Sequence, residues 1–113
     1  MNRVRLPDRR AAETVMLEHD GTRFMVTIGF YPDGRPGEVF THGARSGSNL
    51  DALLVDACVV VSCLIQHGAE PRNLSASMGR LGNAEPASII GAVVDLIMSA
   101  GQDQQQLSAG AGT

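Results

Sequence analysis

Residues 50–65, "LDALLVDACVVVSCLI", constrain the fold of this chain more than any other stretch. Ser48 with Asp51 three positions later is a capping-box pattern, so a helix is expected to start near Asn49. It can run to His67, with Gly68 as its left-handed stop. Leu50, Leu53, Leu54, Ala57, Cys58, Val60, Val61, Leu64 and Ile65 then cover most of the circumference, and only Asp51, Ser62 and Gln66 form a polar stripe. A helix apolar nearly all round has to be buried on several sides. The β-branched run Val59-Val60-Val61 weakens helix formation, and burial is expected to override it. The stretch is short for a membrane span and carries Asp51 and Asp56, so a soluble core helix is expected.

The rest of the 113 residues must supply the cover, and that length allows one domain with one modest core. In "RFMVTIGFY", Phe24, Val26, Ile28 and Phe30 point one way and Arg23, Met25, Thr27 and Tyr31 the other, the period of a half-buried strand. "ETVMLEH" precedes it across Asp20-Gly21, a two-residue hairpin signal in which both positions take φ > 0. "PDGRPG" is a second turn and "EVFTH" a third strand. Pro71 suits the first turn of a shorter helix ending near Gly79, and Pro86 the start of a third. In that third helix Ile89, Ile90, Val93, Leu96 and Ile97 share a face, opposite Asp95 and Ser99. The expected fold class is α+β: a three-stranded antiparallel meander followed by three helices packed on one face. The expected organisation is an Arg-rich extended arm at 1–12, a single domain at 13–100 and, because "GQDQQQLSAGAGT" has almost nothing to bury, a disordered tail at 101–113. One sheet and two short helices can hardly enclose the 50–65 helix. A homodimer or higher symmetric oligomer is therefore expected, with the first or third helix at its interface.

Charge narrows the partners. The net charge is −3, and Arg3, Arg5, Arg9 and Arg10 hold four of the nine basic residues against Asp8 alone. The remainder is acidic, so nucleic acid is not the expected partner; the arm reads as a solvated linker. No apolar run follows the N-terminal arginines as in a signal peptide, and two cysteines make no secreted disulfide framework. A reduced, cytoplasmic setting with no membrane contact is expected. Cys58 and Cys63 lie five apart, which on a helix is about 8–9 Å and roughly 140° around the axis. A disulfide needs Cα atoms within about 7 Å. Zinc motifs space their cysteines differently and need three or four ligands, so both are read as small core hydrophobes.

The loop "GARSGSN" at 43–49 is the one candidate binding segment. Arg45 would supply charge, and Gly47, Ser48 and Asn49 backbone N–H groups, for a nucleotide or another anion at a helix start. It lacks the Gly-Lys-Ser/Thr ending of a P-loop. His19 and His42 fall at strand ends and are expected at the surface; Asp33 and Glu38 flank a turn with no partner carboxylate at a defensible spacing. No Ser–His–Asp arrangement assembles. The residues therefore indicate no catalytic group, no metal site and no cofactor.

The order "LPDRR", "GTRFMVTIGFYPDGRPGEVF", a Gly-rich loop, "LLVDACVVVSCLIQHG" and "SIIGAVVDLI" resembles the TSCPD domain over roughly residues 6–98. The most specific pieces are Gly29 with Tyr31, Asp33, Gly34, Gly37-Glu38 and Phe40, and Ser62 with Gln66-His67-Gly68. In that family the module lies near the C-terminus of cobalamin-dependent ribonucleotide reductases and also occurs free-standing. The Thr-Ser-Cys-Pro-Asp run that names the family is absent; Ala87-Ser88-Ile89-Ile90 stands near its place, and no role of that cysteine carries over. The resemblance implies a non-catalytic accessory or regulatory module that docks to a reductase subunit through apolar helical surface. An oligomeric sensor of a nucleotide or other anion at 43–49 is the alternative, and a separated piece of a split reductase the third reading.

Overall fold

In the computed structural model, residues 2–43 and 49–111 are described, with side chains as far as Gln102. Strands β1 (Ala12–His19), β2 (Thr22–Phe30) and β3 (Pro36–His42) precede helices α1 (Asn49–Gln66), α2 (Pro71–Ser77) and α3 (Ile89–Ala111). Both strand pairings are antiparallel in the order β1-β2-β3, so the fold is the expected α+β meander with three helices. Asp20 and Gly21 both take positive φ, 50° and 79°, as a tight hairpin with right-handed strand twist requires. In the second turn Gly34 sits at φ 89°, and Asp33 Oδ1 accepts the Arg35 N–H at 3.0 Å.

The inward residues of β2, namely Phe24, Val26, Ile28 and Phe30, are buried together with Val39 of β3. Leu54, Cys58, Val61 and Ile65 of α1 and Val93, Val94 and Ile97 of α3 close the core above them. β3 is an edge strand, and α1 lies along it. The Val39 N–H donates to Ser62 Oγ at 3.0 Å, Ser62 Oγ donates back to the Val39 carbonyl at 3.3 Å, and Gln66 Nε2 donates to the Gly37 carbonyl at 2.9 Å. The unpaired peptide groups of a buried edge need polar partners, and α1 brings them on side chains.

This seating reverses the simplest use of the polar stripe. Ser62 and Gln66 are buried, while Leu53, Val59 and Val60 are 68%, 57% and 58% exposed. By length and composition α1 is also apolar enough to cross a bilayer, so length does not exclude it, contrary to expectation. Its attachment to β3 and to the core makes it an element of the folded domain. It ends as expected: Gly68 takes φ 107°, its N–H bonds the Ile65 carbonyl, and the Ala69 N–H bonds the Leu64 carbonyl. That is a Schellman closure.

Two expectations change. α3 continues to Ala111, past the point where a disordered tail was placed. Gly101 does not stop it: a side chain there would come within 3.0 Å of Pro36, so the absence of one lets the helix pass the β2–β3 turn. The arm is also no solvated linker. The Val4 N–H bonds the Gln66 carbonyl, Tyr31 OH donates to the Val4 carbonyl, and Leu6 packs over Gly37. Arg10 forms an ion pair with Glu38. Backbone and aliphatic contacts of this kind are invisible in a composition dominated by arginine.

Candidate functional site

The polar side chains that matter converge where the arm crosses β3 and α1. Gln66 is the joint: its side chain holds the Gly37 carbonyl and receives the Arg3 Nε–H, and its own carbonyl receives the Val4 N–H. Beside it the Glu38 carboxylate lies across β2 and is gripped by Arg10 through Nε and, at 3.2 Å, Nη2. Register explains Gly29, which pairs with Glu38 across the strands. A Cβ there would fall 2.3 Å from Glu38 Oε2 and 2.7 Å from its Cγ, so the carboxylate can fold over the sheet only above glycine. Gly37 is required likewise, because a Cβ would lie 2.7 Å from the Tyr31 ring and 2.8 Å from Leu6.

A cavity of about 210 Å³ opens next to this joint, between β3 and α1, with Thr41, Val55, Cys58 and Cys63 on its walls and Arg3 at one end. Both cysteines are free. Burial pushes the Cys58 thiol up, so at neutral pH it is a thiol and a poor nucleophile. Thr41 Oγ1 is the buried side-chain polar atom without a hydrogen-bond partner among the described residues. Among those residues no three His, Cys, Asp or Glu side chains stand close enough to share a metal ion.

A wider cleft of about 430 Å³ lies between the β2–β3 turn, the α1–α2 connection and α3, with Tyr31, Arg35, Glu70, Arg72 and Met98 on its walls. Arg35 stacks on Tyr31 with its guanidinium 5.0 Å from the ring centre and pairs with Asp33 at 2.7 Å; Arg72 pairs with Glu70 at 2.7 Å. Each arginine therefore arrives with its own carboxylate two residues away. A third polar group joins α2 to α3. Arg80 donates to both oxygens of Asp95, at 2.5 and 2.7 Å, and Ser75 Oγ donates to Asp95 Oδ1 at 2.7 Å. The Arg80 hydrogen bonds, helped by Ser75 and opposed by partial burial, hold the Asp95 carboxyl below its ordinary range.

Of the residues singled out in the sequence for anion binding, Arg45, Gly47 and Ser48 lie outside the described residues; Asn49 is the exposed first residue of α1. His42 is at the surface, with Nε2 3.4 Å from Thr27 Oγ1. His67, just past the end of α1, is exposed and donates through Nδ1 to the Cys63 carbonyl at 2.7 Å. Sequence reasoning missed Glu38, Ser62 and Gln66 as a connected group. The available signal was the facing of Gly29 and Glu38 across a meander whose register the two turns determine. Near the place of the absent Thr-Ser-Cys-Pro-Asp run, Ser88 Oγ accepts the Gly91 N–H at 3.0 Å and starts α3 as its N-cap.

Comparison with known proteins gives two matches. The family model described as the TSCPD domain matches residues 3–100. A vitamin B12-dependent ribonucleotide reductase of Rhodopirellula baltica is 36% identical over 66 residues, which cover 58% of this chain and 6% of that enzyme. The chain therefore matches only a small part of the reductase. No solved structure matches it.

Proposed function

The chain belongs to the TSCPD domain family, and on that premise we propose that it is a non-catalytic accessory or regulatory module related to ribonucleotide reductase, acting through protein–protein contacts. The observation that carries this reading is where its polar side chains go. Glu38, Ser62 and Gln66 bind Arg10, Val39 and Gly37, and Asp95 binds Arg80. Each ties one element to another. A docking module needs that kind of rigid shape, whereas a catalytic site needs groups left free to meet a substrate. The likeness to a short part of a B12-dependent reductase supports a reductase subunit as the class of partner.

A tagged copy purified from its own cells tests the proposal. Recovery of a ribonucleotide reductase subunit in stoichiometric amount, with a change in reductase turnover when the chain is added back, is the expected outcome. Recovery of the chain alone from cells that express such a reductase would reject it.

A further inference from the structure

We propose that the cavity between β3 and α1 binds a small linear hydroxy acid, its carboxylate on Arg3 at one end and its hydroxyl on Thr41 at the other. Arg3 has no carboxylate partner among the described residues, whereas Arg10, Arg23, Arg35, Arg72 and Arg80 each have one. Its Nε–H donates to Gln66 Oε1 at 2.5 Å. That bond fixes the guanidinium at the cavity and leaves its two terminal nitrogens side by side, with parallel donors at the spacing of a carboxylate. Glu38 also lines the cavity, but Arg10 holds its carboxylate through Nε and Nη2.

The other end follows from how α1 lies on β3. Gln66 bonds Gly37 and Ser62 bonds Val39, so two residues of β3 match four of α1, and the next level sets Thr41 against Cys58. The first two levels bring an amide and a hydroxyl to the strand; the third brings a thiol, a weak donor that burial keeps protonated. Thr41 Oγ1 is accordingly buried without a hydrogen-bond partner among the described residues, and buried hydroxyls ordinarily have one. Gln66 and Cys58 are eight residues apart, about 12 Å along the helix. Val39, Val55 and Val59 make the walls between them apolar. The volume of about 210 Å³ is the room of roughly seven water molecules. Five or six methylene-sized carbons fit that room and span the two ends with a hydrogen bond at each. One unpaired cation selects a single negative charge, and a buried hydroxyl between apolar walls selects a neutral end group.

Titration of the full chain with hexanoate, 6-hydroxyhexanoate and hexylamine, followed by amide NMR shifts, tests both ends. The hydroxy acid should bind with Kd of about 1 mM, a value within reach of a ligand of nine non-hydrogen atoms. It should move the resonances of Val39, Val55 and Val59, with hexanoate about fivefold weaker and hexylamine without effect. Arg3→Gln should weaken both acids about tenfold, and Arg3→Lys, which keeps the charge but not the paired donors, should fall between. Thr41→Val should bring the hydroxy acid down to the level of hexanoate and leave hexanoate unchanged, a difference that general loosening of the fold does not produce. No shift at the cavity with either acid at about 20 mM overturns the proposal, as does hexylamine binding as well as hexanoate. A hydroxy acid indifferent to Thr41→Val overturns the assignment of its hydroxyl.

Discussion

Asp95 is a half-buried carboxylate with three donors aimed at it, and its protonation should be felt by the whole α2–α3 contact. Its carboxyl is held below the ordinary aspartate value of about 3.9, first by the Arg80 hydrogen bonds. A depressed folded value means that folding favours the ionised form. The contribution is therefore fully present above the unfolded value and is lost as pH falls through the folded one. Unfolding free energy from urea titrations should be level near pH 7 and fall below about pH 4. Asp95→Asn should be less stable than the parent at pH 7 and show the smaller drop between pH 7 and pH 3. An unchanged drop would mean that Arg80 does not act on this carboxyl in solution. Nothing in the sequence announced this group. Asp95 stood on the polar side of a helical pattern, and Arg80, fifteen residues earlier, lay in a stretch without periodicity.

At the level of elements, the joint made by Gln66 predicts that arm, edge strand and α1 behave as one unit. Gln66→Leu leaves the Gly37 carbonyl without its donor and Arg3 without its acceptor. Loss of a buried hydrogen bond with one partner left behind is expected to destabilise by about 1–3 kcal/mol. It should also make Arg3 and Arg5 several-fold more susceptible to trypsin, with helix content unchanged by circular dichroism. An arm already cut rapidly in the parent would contradict the attachment. What the sequence made legible here followed from period and turn chemistry. β2 was visible as alternation, the first hairpin as Asp20-Gly21 and the end of α1 as Gly68, because each of those signals is local. The side of α1 that faces in was not legible. Apolar residues surround most of the helix, and its orientation is decided by the peptide groups of β3, a strand more than twenty residues away in the chain. The arm was misjudged for the same reason: its four arginines suggest a solvated segment, while Arg3 and Arg10 are bonded to Gln66 and Glu38 and Val4 and Leu6 add backbone and aliphatic contacts. The anion site expected at Arg45, Gly47 and Ser48 lies outside the described residues.

For the whole molecule, the consequence of turning the polar side of α1 inward is an apolar side turned outward. A monomer keeps Leu53, Val59 and Val60 in water; a dimer removes them, so association and folding become linked. Anything that binds only the folded chain stabilises it by mass action, and here the ligand is the chain itself. Raising the concentration from 1 to 100 µM should therefore raise Tm by about 3–5 °C for a domain of this size and a micromolar dimer. Differential scanning calorimetry at the two concentrations separates this from a face covered within one chain, where Tm does not depend on concentration. A dimer on α1 also leaves the outer face of the sheet, with Met16 and Phe40 half exposed, open in each copy. The proposed docking to a reductase uses apolar helical surface, so self-association on α1 would compete with it.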